Sequence, residues 1–393
     1  MLAALLLPPG SLPAASSDEA ITRRLGSRDC LMVTTREGTQ VLEHNPDRAL
    51  IPASILKLFT AWYGLSTFGD DFRFTTEVYL SGKNLLVRGT GDPALTSSEV
   101  DRLAREVSAL LRARGITELE TLYLDGTAFA VGTIPGTSGS DNPYDVLNGA
   151  LVVNYNTIFV RRLADGTIVS AEEETPITPF AVTQAKRYLL KSQDRINAAR
   201  TPVEVLALAG DLLAVFFERH GLRIGRQVQG SWPQALGKPL YLHRASKPLS
   251  ELVRELLRYS NNFTANQLLL AAGGLRTPPP VVLSKAVRSF QDFLEARGYG
   301  EVRVVEGSGI AGENRLSCRA MTRLLRTDWY PHRDLLHKSW KSGTLDAAMS
   351  YAGYLGDHAF CLILNDRSKH RNLYAAREEL LSALRHRFPS SGR

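Results

Sequence analysis

A chain of 393 residues is longer than one compact domain needs and accommodates two or three. Its hydrophobic content of 44% and charged content of 22% are those of a globular protein, and no later stretch nears the ~20 consecutive apolar positions of a membrane span. The net charge of +7 would suit an anionic wall polymer or peripheral contact with a membrane surface. The basic residues are scattered, however, and form no block of the kind that binds nucleic acid.

In chain order, Met1–Leu7 is apolar and Ala14-Ala15-Ser16 supplies small residues, the pattern of an export signal. The charged leading segment is missing, because the first basic residue is Arg23. Residues 1–16 are expected to be the remnant of such a signal, which implies the periplasm or cell envelope. Helical periodicity predicts helices over Ser54–Leu65, Ser98–Arg114, Pro202–Gly221, Leu249–Tyr259, Thr264–Ala272, Leu283–Arg297, Ala320–Thr327 and Tyr374–Arg387. Strands are expected over Cys30–Thr35, Thr75–Leu80, Asn84–Arg88, Thr121–Asp125, Leu151–Val160 and His358–Leu364. Gly132–Pro143 and Gly225–Pro239 are rich in chain breakers, and Ala171–Pro179 reads as an acidic surface loop. The irregular interleaving of strands and helices points to an α+β fold rather than a wound parallel sheet. Cys30, Cys318 and Cys361 are expected to be small buried hydrophobes rather than one bridge with a thiol left over. With eight dispersed histidines and no HExxH or CxxC spacing, no metal or other cofactor is expected.

Three short patterns carry the chemistry. Ser54 and Lys57 lie three apart in Pro52–Trp62, a segment apolar on almost every face, so both side chains share one face of a buried helix. Burial lowers a lysine pKa, because the charged form loses most when water is removed, and a neutral amine beside a hydroxyl is a base beside a nucleophile. Lys341-Ser342-Gly343-Thr344 precedes an apolar strand. It offers a positive charge, two hydroxyls and a glycine that admits close backbone approach. Ser140-Asp141-Asn142 and Ser260-Asn261-Asn262 both supply a Ser-x-Asn. Ser140 sits in a run of glycines and serines, whereas Ser260 lies between two apolar helices that can hold it, so Ser260 and Asn262 are chosen.

Ser-x-x-Lys, Ser-x-Asn and Lys-Ser/Thr-Gly in this order are the set used by penicillin-binding proteins and serine β-lactamases. The chain resembles the serine D-Ala-D-Ala peptidases of the penicillin-binding protein 4 type. The likeness extends to Gly69–Thr76, Gly89-Thr90-Gly91-Asp92-Pro93, Leu151–Asn156 and Gly307-Ser308-Gly309. It implies a β-lactamase/transpeptidase-like catalytic domain, an antiparallel sheet with helices, built from residues 17–82 and 240–393. Ser54 and Ser260 are 206 positions apart, which leaves 83–239 as an inserted accessory region, shortened after Arg161.

The resemblance implies a carboxypeptidase/endopeptidase that cleaves peptidoglycan stem peptides through an acyl-enzyme and is inhibited by β-lactams. A serine β-lactamase and a non-catalytic wall-binding protein are the alternatives. Ser54 would be the nucleophile and Lys57 its base. Ser260 and Lys341 would return the proton to the leaving amine, Asn262 would orient the substrate, and Ser342, Gly343 and Thr344 would hold its carboxylate end. Two positions depart from the family around the diaminopimelate pocket: Gly312 stands where relatives carry arginine, and Asp346 where glutamine occurs. Arg315 is the residue expected to reach back in compensation. The sequence sets no oligomeric state.

Overall fold

His358–Leu364 is apolar without alternation, as a strand covered on both faces is. In the computed structural model, which describes residues 17–389 other than 131, 233–236 and 276, this strand is the centre of a five-stranded sheet. The spatial order is Trp340–Leu345, Ala348–Leu355, His358–Leu364, Asp29–Thr34 and Gln40–His44, with every pair antiparallel. Alternate side chains leave opposite faces. Cys361 and Ile363, with Cys30 and Met32 beside them, join the main helical core. Phe360, Leu362 and Leu364 turn the other way and meet Leu380, Leu381 and Leu384 of the Leu373–Arg387 helix.

The main core surrounds Lys57–Phe68, whose residues are buried from Lys57 through Leu65. Helices Leu249–Tyr259, Asn262–Gly274, Leu283–Ala296 and Cys318–Arg326 supply the rest of that core. Gly64 lets two of them approach closely, since a Cβ there would lie 2.6 Å from Leu268. The helix expected from Ser54 begins instead as a 3₁₀ turn over Ala53–Leu56, and the α-helical turns start at Lys57.

A second sheet has the order Tyr241–Arg244, Thr75–Ser81, Asn84–Gly89, Glu118–Asp125, Arg223–Gln229. Its last three strands are parallel. Parallel neighbours need crossovers, and the amphipathic helices Ser97–Arg112 and Pro202–Arg219 lie in them, packing Leu103, Val107, Leu213 and Phe216 into one apolar cluster. A small third sheet, Ile168–Ser170, Thr157–Arg162, Gln193–Asn197, completes this part of the chain.

Several expectations change. Boundaries at 82/83 and 239/240 cut the second sheet, because Thr75–Ser81 and Tyr241–Arg244 pair with each other inside it. The region between them is not wholly peripheral either: Phe129 and Ala150 belong to the main core, and the Asn148 amide donates to the Phe263 carbonyl and to Gln267 Oε1, both at 2.9 Å. Leu151–Val160 is not one strand, because Asn154, Tyr155 and Asn156 all adopt positive φ and break it before Thr157. Arg223–Gln229 occupies the start of a stretch expected to be irregular; at a sheet edge, Gly225 passes against Glu120, whose carbonyl a Cβ would meet at 2.8 Å. The signal-like residues 1–16 lie outside the described residues.

The cysteines also differ from expectation. Cys30 and Cys318 form a disulfide between the central sheet and the Cys318–Arg326 helix, and Cys361 alone is a buried thiol. The reading as buried hydrophobes failed because contact between positions 288 residues apart is invisible in sequence. Denaturation without reductant should therefore expose one titratable thiol per chain. Cys30→Ala should lower unfolding free energy by about 2–5 kcal/mol, the usual cost of losing a native bridge, whereas Cys361→Ala should leave the bridge intact. Three titratable thiols in the unreduced protein would contradict the pairing.

Candidate active site

Ser54 is the partly exposed residue in the otherwise buried 3₁₀ turn Ala53–Leu56. The turn is held from two sides. Ser350 Oγ donates to the Pro52 carbonyl at 2.6 Å, and Gly309, with φ +82°, lies so close that a Cβ would sit 2.1 Å from the Ala53 carbonyl oxygen. Only a residue without a side chain fits that approach.

One turn on, Lys57 is fully buried. Its Nζ lies 2.9 Å from Ser54 Oγ, 2.8 Å from Asn262 Oδ1 and 2.7 Å from the Ser308 carbonyl oxygen. Burial drives its pKa well below the ordinary lysine value; the Lys341 charge pushes the same way, and Glu306 opposes both. A neutral amine has two protons and one lone pair. The amide and carbonyl oxygens take the protons, and the lone pair is left for the Ser54 hydroxyl.

Ser260 ends the Leu249–Tyr259 helix in the left-handed conformation, φ 56°. Asn261 then caps the next helix, its Oδ1 accepting from Thr264 N at 3.0 Å. This turn points Ser260 and Asn262 at different lysines: Lys341 Nζ donates to Ser260 Oγ at 2.9 Å and to the Ser342 carbonyl at 2.7 Å. Burial first, and then the nearby Arg377 charge, lower Lys341 to about 8. Gly343 brings its strand against Ser54, since a Cβ there would lie 2.8 Å from Ser54 N and 2.3 Å from Ser350 Oγ. Backbone N–H groups at such a junction can stabilise charge developing on a carbonyl oxygen.

Ser54, Lys57, Ser260, Asn262, Lys341 and Gly343 thus meet in one place. Ser342 and Thr344 alternate with the buried Lys341 and Gly343 and are exposed. Asp346 is exposed in the turn after the strand and makes no hydrogen bond or ion pair among the described residues. Arg315 reaches the Gly312 carbonyl through Nη1, which also donates to the Asn314 carbonyl at 2.8 Å, so that nitrogen is engaged by backbone. Ser140 is elsewhere: its hydroxyl donates to Asp145 at 2.7 Å and accepts from Asn142. Among the described residues no group of three or more metal-ligating side chains occurs.

Two further residues shape the site. Glu306 is completely buried and accepts from Ser308 N, Ser308 Oγ and Gly309 N at 2.6–2.7 Å and from Asn314 Nδ2 at 2.8 Å. It pins the loop whose Ser308 carbonyl holds Lys57; an acidic residue directly before Gly-Ser-Gly was the available signal. Arg377, 4% exposed, donates to the Gly343 carbonyl at 2.9 Å and to Thr344 Oγ1 at 3.0 Å, between the rings of Tyr351 and Tyr374. No pattern in the sequence sets it apart from other helical arginines.

These charges predict a pH profile. With Lys57 as the base, kcat/KM should show an ascending limb well below the ordinary lysine range. With Lys341 as the proton donor, loss of its proton should give a descending limb near 8. Arg377→Met removes a cation that favours deprotonation of Lys341, so the descending limb should move to higher pH; a shift downward, or none, would contradict the assignment.

Residues 15–337 match the D-Ala-D-Ala carboxypeptidase 3 (S13) family, a span that ends just before Lys341. The chain is 25% identical over 348 residues to a D-alanyl-D-alanine carboxypeptidase of Actinomadura sp. (strain R39), covering 75% of this chain and 63% of that protein. It is 24% identical over 327 residues to the D-alanyl-D-alanine carboxypeptidase DacB of Haemophilus influenzae, covering 72% and 67%. In fold it is similar to penicillin-binding protein 4 (dacB) from Haemophilus influenzae, with TM-score 0.70, 18% identity and coverage of 93% and 99%. It is also similar to the predatory peptidoglycan endopeptidase Bd3459 from Bdellovibrio bacteriovorus, in its complex with an immunity protein, with TM-score 0.52, 14% identity and coverage of 91% and 92%. With its family match spanning most of its length and the same α+β architecture in these solved structures, the chain belongs to the D-Ala-D-Ala carboxypeptidase 3 (S13) family of serine peptidases.

Proposed function

We propose that this protein hydrolyses D-Ala-D-Ala-type bonds of peptidoglycan stem peptides through an acyl-enzyme on Ser54, and that β-lactams inhibit it by forming the same adduct. The observation that carries the reading is the pair of lysines with different partners: Lys57 against the nucleophile and Lys341 against Ser260. In acylation, Ser54 Oγ attacks the carbonyl carbon as its proton passes to Lys57 Nζ. The oxyanion forms beside the Ser54 amide and the Gly343–Thr344 strand. Collapse breaks the C–N bond, and the leaving nitrogen takes a proton from Ser260, which Lys341 replenishes. Water then hydrolyses the ester. Asn262 touches Lys57 and can orient both base and substrate amide. The Thr344 hydroxyl accepts from Arg377, leaving its own proton for a substrate carboxylate.

The antiparallel-sheet unit with its helices is the catalytic part of this reading, and the second and third sheets are the accessory part. Action on the cell wall places the protein in the envelope or periplasm. Among the described residues no helix is long and apolar enough to cross a membrane.

Mass spectrometry after incubation with a labelled penicillin should place the adduct on the peptide containing Ser54, and Ser54→Ala and Lys57→Met should abolish it. Ser260→Ala should reduce turnover by roughly 10²–10⁴-fold, the range for a lost proton-transfer group, while Ser140→Ala should leave turnover unchanged. Labelling of Ser54→Ala would overturn the nucleophile.

A further inference from the structure

Arg377 belongs to the Leu373–Arg387 helix, beyond the residues 15–337 that match the family, and it is buried. A guanidinium is costly to bury unless both its N–H groups and its charge are answered. The N–H groups are engaged on two edges. Nη1 donates to the Gly343 carbonyl at 2.9 Å and to Thr344 Oγ1 at 3.0 Å. Nε and Nη2 donate to Glu378 Oε1 at 3.3 and 3.0 Å, and the same oxygen accepts from the Tyr351 hydroxyl at 2.7 Å. The rings of Tyr351 and Tyr374 lie 4.5 and 5.0 Å from Cζ. The side chain is thus held in one orientation, with one edge on the strand and the other on a carboxylate.

The charge is answered only in part. Glu378 is the one carboxylate paired with Arg377 among the described residues, and at 42% exposure it shares its charge with water. Lys341 leaves the same strand on its other face, because Lys341 and Thr344 are an odd number of residues apart. It is buried, donates to Ser260 Oγ and the Ser342 carbonyl, and pairs with no carboxylate among the described residues. Two cations therefore bracket Lys341–Thr344, with one partly solvated anion to balance them. The exposed hydroxyls of Ser342 and Thr344 lie on this electropositive stretch. A single carboxylate arriving there would supply the missing negative charge.

We propose that Arg377 is the positioning residue that makes the site select a free α-carboxylate on the leaving residue, acting through Thr344, and that Glu378 attenuates that selectivity by sharing the charge. This rests on the serine peptidase reading and adds which side chains set its substrate preference. A hydroxyl alone donates to a carboxylate or to a carboxamide oxygen alike. The cation behind it is what separates the two, because only the carboxylate carries a charge for it to meet.

The test uses the full chain and two substrates, a diacyl-Lys-D-Ala-D-Ala peptide and the same peptide ending in a carboxamide. Rates are taken on the plateau between the two pH limbs, so that Lys341 keeps one protonation state. The wild-type protein should prefer the acid by at least about tenfold. Arg377→Met should lower kcat/KM for the acid about tenfold, mainly through KM, and change the carboxamide by less than about twofold. Glu378→Gln keeps an acceptor for Tyr351 and Arg377 but removes the anion, so preference for the acid should rise about threefold, the scale of a partly exposed ion pair. A purely structural role would lower both substrates together in both variants, and that result would overturn the proposal. So would a wild-type protein indifferent to the carboxylate, or an acid preference that survives Arg377→Met. Should Arg377→Met fail to fold, Glu378→Gln decides alone, and an acid preference that falls or stays level refutes the assignment. A wild-type protein that hydrolyses neither peptide and forms no adduct with labelled penicillin would overturn the peptidase reading itself, an outcome distinct from all of these.

Discussion

The arrangement turns on one desolvated amine. Lys57 sits in the main core with no solvent contact and with its three nearest polar partners drawn from three separated parts of the chain: Ser54, Asn262 and Ser308. A buried ammonium would demand a compensating anion. The buried carboxylate available, Glu306, is already occupied by backbone and side-chain N–H donors of its own loop. The amine is left to be neutral, and a neutral amine against a hydroxyl is what the chemistry needs. Packing of Lys57–Phe68 among the surrounding helices, which excludes water, is thus also what makes Lys57 the candidate base.

Close backbone approach is the second requirement. Gly309 against Ala53, and Gly343 against Ser54, bring a loop and an edge strand within contact of a short 3₁₀ turn. The disulfide ties the same sheet to the Cys318–Arg326 helix, which follows directly on the Gly307–Asn314 loop and its Glu306 anchor. Positions separated by hundreds of residues are therefore held by covalent and steric constraints at once. Such redundancy suits a site in which two serines and two lysines must each find one partner and not the other.

The second and third sheets are more than an appendage. In the connections between their strands, Asn148 bonds to the Asn262–Gly274 helix and Phe129 joins the main core, and the Asn262 amide meets the Tyr144 carbonyl at 3.5 Å. At the same junction a buried network joins Glu99 to His243 at 2.8 Å and to Ser246 N at 3.0 Å. Nearby, Asp92 is raised to about 7, chiefly by burial. The two parts of the chain share polar interior, which fixes how one edge of the catalytic turn faces the other lobe.

What the sequence by itself determined were the local reactive patterns and the elements with strong periodicity. Ser54 and Lys57 share a face because three residues make nearly a turn; His358–Leu364 and Leu249–Tyr259 announce themselves by unbroken apolarity and by amphipathic spacing. That Ser260 lies against Lys341 while Ser140 lies against Asp145 was legible because packing on both sides of a residue can be read from its neighbours. Tertiary structure decided what depends on distant contact or on one backbone angle. It joined Cys30 to Cys318, buried Arg377 beneath Gly343 and Thr344, and broke the apolar run at Asn154–Asn156 with left-handed residues that composition favoured as strand. It also extended the second sheet along the chain from Thr75 to Arg244, because a strand's membership follows from its hydrogen-bonded neighbour, and that neighbour lies far along the chain.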